Sequence, residues 1–203
     1  MFELFKDGGV FTGILLVCSV ISLAFILERI WALRRNRIMP PELLNVLNRD
    51  AEPVEDAWLR STSESRPSPL GRLILTMLDY RAWPRAENAS AVEVHARQEV
   101  VGLERGLIVL EVITGIAPLL GLVGTIYGII PLFGDFGKAI SGDQVLIAKG
   151  IGAALNKTLL GLMVAIPSLV AWSLLNKRVE ELSIDLSAHC DAFLRRNYPP
   201  ESR

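Results

Sequence analysis

Three long runs without a charged residue dominate this sequence of 203 residues. They cover residues 10–27, 112–134 and 158–176, which are 18, 23 and 19 residues long. A helix of ~20 residues crosses the ~30 Å hydrocarbon layer of a membrane, because each residue advances the helix by ~1.5 Å. We therefore predict an all-α polytopic membrane protein with three transmembrane helices and with long helices extending into the cytoplasm.

Two other interpretations of these runs are less favourable. Core helices of a soluble domain rarely need three charge-free runs in a chain of this size. A cleaved signal peptide is an alternative for the first run, but its flank contains Glu3, Lys6 and Asp7 rather than a positive cluster. Glu28 and Arg29 follow where small residues would mark a cleavage site. We therefore expect the first run to remain in the mature protein.

The distribution of Lys and Arg predicts the orientation, because cytoplasmic loops next to membrane spans are enriched in them. They collect after span one, before span two and after span three: Arg29, Arg34, Arg35, Arg37, Arg97, Arg105, Lys177 and Arg178. The N-terminus should therefore lie outside and the C-terminus in the cytoplasm. The predicted segments are an external N-terminus (1–9), span one (10–33), a cytoplasmic helical segment (34–106), span two (107–134), an external turn (135–146), span three (147–176) and a cytoplasmic C-terminal helix (177–203).

Prolines and serines divide the cytoplasmic segment into shorter helices. We expect helices to begin at Pro40-Pro41 and at Pro53, a polar break over residues 61–67, and a helix capped by Ser68 that ends at about Trp83. From about Ala89 an apolar stripe predicts one continuous helix into span two. This stripe is formed by Val92, Ala96, Val100, Leu103 and Leu107, and a similar one after span three by Val179, Leu182, Leu186, Cys190 and Phe193.

Spans two and three contain small residues and hydroxyls at helical spacing, which lets helices approach closely in lipid. One stripe is Gly121, Thr125 and Gly128, and the other is Ala154, Thr158, Gly161 and Ala165. The midpoint between the two threonines is position 141.5, inside the predicted turn at 137–142. In an antiparallel hairpin the two threonines should therefore lie at one depth, where several copies of the chain would form a ring of hydroxyls. The alternative is that each hydroxyl bonds only to the carbonyl at i−4 of its own helix.

The sequence resembles the ExbB/TolQ/MotA proton-channel family. The resemblance is carried by GIAPLLGLVGTIYGI at 115–129, ALNKTLLGLMVAIP at 154–167 and ERIW at 28–31. The three-span order is similar to that of the ExbB and TolQ types, whereas MotA-type stators have a fourth span.

The resemblance implies a stator subunit of the bacterial inner membrane, with a periplasmic N-terminus. Such subunits form homopentamers whose second and third spans surround a pore, which is occupied by a dimer of a single-span ExbD- or TolR-like partner. An aspartate of that partner carries the proton. Proton flow rotates or displaces the partner against the pentamer, and this motion is passed to a TonB- or TolA-like protein. By position, Thr125 and Thr158 are the pore hydroxyls. The residues that shape the pore-lining helices are Pro118, Gly121, Gly124, Gly128, Gly161 and Pro167.

Three positions depart from the family pattern. Ala153 stands where ExbB proteins commonly have a glutamate, and Asn156 and Lys157 stand where small or apolar residues are usual. A lysine at that depth is costly, so Lys157 should either face the pore or extend outward past Gly150 and Ala153. The side-chain oxygen of Asn156 makes sodium an alternative candidate for the transported ion, since oxygen ligands suit hard cations. Glu111 is a candidate cytoplasmic exit group, with a salt bridge to an arginine as the alternative.

Several classes of function are disfavoured by what the sequence contains. With 21 Lys and Arg against 22 Asp and Glu, there is no basic surplus for nucleic-acid binding. The spacing of the cysteines and histidines is not typical of a metal site or of a disulfide framework; these residues are Cys18, Cys190, His95 and His189. The sequence also has no pairing of a nucleophile with a base and no phosphate-binding loop that would indicate an enzyme. We expect no cofactor. The expected function is the ExbB role in TonB-dependent outer-membrane transport, with a TolQ-like or gliding-type stator as second choice and a passive membrane scaffold as the alternative of another class.

Overall fold

The computed structural model describes residues 9–47, 56–136 and 144–198 of the chain. These residues form eight helices and no strand, which confirms the all-α fold. The helices are α1 Gly9–Ala32, α2 Arg35–Ile38, α3 Pro41–Leu47, α4 Asp56–Ser65, α5 Pro69–Asp79, α6 Arg85–Glu104, α7 Leu107–Phe136 and α8 Gln144–Asn197. The N-terminal segment through residue 8, the helix start at Pro53 and the turn at 137–142 lie outside the described residues.

Three of the described helices are long and apolar enough to cross a membrane. The candidate spans are Gly9–Ala32, Leu107–Leu132 and the part of α8 that begins at Ala148. Only 17, 33 and 22% of their most apolar windows is buried within the chain. Most of this apolar surface must therefore be covered by lipid or by other protein subunits, because water would not solvate it favourably.

The chain divides into two compact units. The apolar unit contains residues 9–29 and Gly106–Leu174, and the charged unit contains Ile30–Arg105 and residues 175–198. In the apolar unit, Leu15 of α1, Ile113 and Ala117 of α7, and Ala165 of α8 form a common core. The three helices of this unit therefore pack on one another rather than crossing independently.

The charged unit is organised around α5, whose apolar side chains are almost completely buried. Ser68 caps this helix as predicted, since its Oγ accepts a hydrogen bond from the backbone N–H of Gly71 at 3.1 Å. Arg72 of α5 donates from Nε to Glu99 of α6 at 2.6 Å, and this hydrogen bond raises the pKa of Arg72. The stripe predicted after span three is buried at Val179, Leu182, Leu186 and Cys190, and its last buried member is Leu194 rather than Phe193.

The prediction of one continuous helix from about Ala89 into span two is wrong at Gly106. Helix α6 ends at Glu104 and α7 begins at Leu107, because Gly106 adopts a φ of +90° that L side chains rarely take. A Cβ at Gly106 would lie 3.0 Å from Nε of Arg29 and 3.3 Å from Phe25. The apolar spacing continues across this break, so periodicity alone does not reveal it.

Two other boundaries in the charged unit differ from the prediction. Residues 61–65 are helical rather than a break, and the hydroxyls of Ser61 and Ser65 donate to carbonyls of this helix at 3.0 and 2.6 Å. Helix α5 ends at Asp79 instead of at about Trp83. The hydroxyl of Tyr198 reaches the carbonyls that follow, with the Arg81 oxygen at 2.9 Å, so the end of the helix is held by a residue far away in sequence.

Candidate functional site

Helices α7 and α8 approach each other through backbone contact at Gly121 and Gly161. A Cβ built on Gly161 would lie 2.5 Å from the carbonyl oxygen of Ala117, and one on Gly121 would lie 2.8 Å from that of Lys157. Both distances are too short for real Cβ contacts. Glycine is therefore required at this crossing, as expected for helices that associate through small residues in lipid.

Thr125 and Thr158 meet one turn from this crossing. Their hydroxyl oxygens are hydrogen bonded to each other, so the two threonines lie at one level of the helix pair. Thr125 is only 7% exposed, while Thr158 is half-buried. The pair is therefore enclosed between the two helices of a single chain.

The hydroxyls also reach carbonyls of both helices. Thr125 Oγ1 lies 3.0 Å from the carbonyl oxygen of Gly121 in its own helix and 3.0 Å from that of Ala154 in α8. Thr158 Oγ1 lies 3.3 Å from the same Gly121 oxygen across the helix pair. The i−4 bond considered from the sequence is thus present for Thr125, together with bonds between the helices. Since each hydroxyl has one proton, the two groups have more acceptors than protons and can exchange partners.

Lys157 extends over the glycines of α7 rather than along its own helix. A Cβ on Gly124 would meet Cδ of Lys157 at 3.3 Å, and one on Gly128 would meet its Nζ at 3.2 Å. The side chain therefore follows α7 for one turn, from the level of Gly124 to that of Gly128. Phe11 of α1 lies on the same groove, since its Cβ would be 3.2 Å from a Cβ built on Gly124. Gly124 and Gly128 provide the space that the half-buried lysine occupies.

The other predicted site residues do not join this cluster. Asn156 is half-buried beside Lys157, and Ala153 is exposed. Glu111 is exposed near the start of α7 and forms no ion pair with the side chains that the structure describes. Pro118 and Pro167 lie inside α7 and α8, and neither interrupts its helix.

A buried serine pair was not predicted from the sequence as a unit. Ser22 Oγ of α1 and Ser168 Oγ of α8 are 2.6 Å apart, and the two residues are 4% and 0% exposed. Ser168 also donates to the carbonyl oxygen of Val164 at 2.7 Å. The signal in the sequence is a serine in each of two apolar runs, but pairing them requires knowledge of which helix faces meet.

Comparison with known proteins gives a consistent result. Residues 67–188 match the model of the MotA/TolQ/ExbB proton channel family. A putative biopolymer transport protein ExbB homolog of Methanothermobacter thermautotrophicus is 31% identical, over 88% of this chain and 64% of that protein. The ExbB-like 1 protein of Synechocystis is 35% identical, over 84% of this chain and 68% of its own length. The Tol-Pal system protein TolQ of Haemophilus influenzae is 31% identical, over 51% of this chain and 45% of that protein. The chain thus spans about two thirds of the length of the first two relatives.

Proposed function

Because the chain belongs to the MotA/TolQ/ExbB proton channel family, we propose that it is the channel-forming stator subunit of an energy transducer in the bacterial inner membrane. Its N-terminus is then periplasmic and its C-terminus cytoplasmic. Five copies surround a pore with their second and third spans, and a dimer of an ExbD- or TolR-like single-span partner occupies it. The proton motive force drives this assembly, which energises TonB-dependent transport across the outer membrane.

The Thr125–Thr158 pair is the observation that carries this proposal. Two hydroxyls that share the Gly121 carbonyl can turn from that acceptor, or from each other, toward a third group without becoming unpaired. Buried hydroxyls without a partner are costly in a membrane. A pair with interchangeable bonds can therefore donate a hydrogen bond to a carboxylate that moves past it. The pair returns to its internal bonds when that carboxylate leaves.

The titrating group itself is expected to come from the partner. Runs 112–134 and 158–176 contain no Asp, Glu, Lys, Arg or His, and the nearby Lys157 is a cation rather than a carboxylate. An intramembrane carboxylate is the usual proton carrier in pumps and transporters. A partner aspartate at the level of the threonine pair would supply it, with Lys157 one helix turn further toward the end of α7 as a fixed positive charge.

Proton flux tests this proposal directly. The complex, purified with its partner, is placed in liposomes with a pH-sensitive dye inside, and Thr125→Ala and Thr158→Ala are compared with Thr114→Ala. Thr114 is the matched control, because its hydroxyl donates only to Leu110 of its own helix, at 2.8 Å. We expect at least a tenfold loss of coupled flux in the first two variants, with assembly unchanged, and near-normal flux in the control. Normal flux in both pair variants would overturn the proposal.

Two alternatives are separated by further measurements. A passive scaffold is favoured by the fact that both hydroxyls already have partners inside one chain, and it predicts that neither threonine variant affects flux. Native mass spectrometry that finds a monomer or dimer without a single-span partner would also favour it. A TolQ-like or gliding-type role would leave flux intact and change only the client, so envelope integrity and import must be assayed separately in a deletion strain.

A further inference from the structure

A cleft rich in arginine lies in the charged unit, next to the end of span one. Its volume is about 650 Å³. The residues that matter for its chemistry are Ile30, Trp31, Arg34, Arg35, Arg37 and Arg178. Four guanidinium groups thus surround one cavity immediately after the apolar part of α1.

The side chains that the structure describes neutralise only part of this positive charge. Arg35 pairs with Asp185 at 3.1 Å and Arg178 with Glu181 at 3.2 Å. Among the described residues, Arg34 and Arg37 have no carboxylate partner. The Arg37 guanidinium instead stacks on the Trp31 ring at 3.4 Å from its centroid, which fixes its position. A preorganised cluster of arginines binds phosphate oxygens well, because each guanidinium offers parallel N–H donors.

The apolar residues of the cleft distinguish a lipid from a soluble anion. Ile30 and Trp31 are 51% and 52% exposed, directly beside the arginines. A free phosphate would leave this apolar surface in water, whereas the glycerol and upper acyl chains of a phospholipid would cover it. Tryptophan with arginine at the end of a membrane span is also the composition of a headgroup-level site.

We propose that this cleft binds the phosphate headgroup of one anionic phospholipid, held by Arg34 and Arg37. The proposal rests on the membrane location and orientation given above, but not on proton conduction or on a partner. A bound headgroup would fix the segment that joins α1 to α2 at the membrane surface.

Lipid retention by the full chain tests the proposal. The protein is purified in mild detergent and titrated with short-chain phosphatidylglycerol or phosphatidylcholine, and bound lipid is counted by native mass spectrometry. The test variant is Arg34→Gln/Arg37→Gln, and the control is Arg105→Gln/Lys177→Gln. The control removes the same charge near the ends of apolar segments, at positions that do not line the cleft.

We expect one phosphatidylglycerol per chain in the wild type and the control, about 30-fold weaker binding in the test variant, and no retention of phosphatidylcholine. Single Arg34→Gln and Arg37→Gln changes, each expected to weaken binding about fivefold, provide a second measurement should the double variant not fold. If the control and test variants lose lipid affinity equally, the lipid is attracted by the overall positive charge rather than by this cleft, and the proposal is overturned. Displacement of the lipid by millimolar inorganic phosphate would overturn it in favour of a soluble anion. A wild-type complex that retains the lipid but shows no coupled proton flux would refute only the proposed function.

Discussion

Replacing Gly161 by alanine should separate the two helices that carry the threonine pair. The new Cβ would lie 2.5 Å from the carbonyl oxygen of Ala117, where ordinary contact begins at about 3.4 Å. The obstacle is backbone, so α7 and α8 must move apart by about 0.9 Å. Overpacking of this kind costs ~1–3 kcal/mol, of which the better helix propensity of alanine returns up to ~1 kcal/mol. The hydrogen bond from Thr158 to the Gly121 carbonyl, 3.3 Å long in the native pair, would be lost.

The matched control is Gly152→Ala in the same helix, since a Cβ there meets nothing within 4 Å. We expect Gly161→Ala to lower the midpoint of thermal unfolding in detergent and to reduce proton flux, while Gly152→Ala leaves both unchanged or raises the midpoint. Fluorescence-detected size-exclusion chromatography after heating measures the first quantity and the liposome assay the second. If Gly161→Ala matches the wild type in both assays, the close approach of α7 and α8 is not required and the reasoning is refuted.

Four further outcomes follow from individual residues. Ser22→Ala should lower the free energy of unfolding by ~0.6 kcal/mol in denaturant titrations by removing the hydrogen bond to Ser168, whereas the exposed Ser19→Ala should have no effect; equal effects would contradict a role for the bond. Lys157→Ala should change coupled transport without preventing assembly, because it removes the charge held over Gly128; unchanged transport and growth would count against this. Burial raises the pKa of Cys190 to about 12, so its thiol should react with iodoacetamide at pH 8 at least a hundredfold more slowly in the native than in the unfolded chain. The same shift should lower stability as pH rises above ~8.5, where the unfolded thiol ionises and the native one does not; a denaturation midpoint that stays constant from pH 8 to 10 would contradict it.

The sequence predicted the structure best where the burial of a residue depends only on the spacing of apolar residues. Charge-free runs predicted three spans, and the C-terminal stripe predicted the buried face of the last part of α8, because burial follows apolar spacing directly. Prediction was wrong where a local conformation depended on distant residues. The break at Gly106 reflects a positive φ beside Arg29 and Phe25, and the end of α5 reflects carbonyls taken up by Tyr198.

Within the candidate site, the two threonines, their glycine neighbours and their common depth could be predicted from the sequence, because spacing from a turn fixes the level of residues in a hairpin. The packing of the helices was needed to show that both hydroxyls bond across the helices, that Thr125 also bonds back to its own helix, and that Lys157 lies over Gly124 and Gly128. The physical reason is that helical periodicity defines which residues share a face, while the rotation and separation of two packed helices decide which atoms of those faces touch.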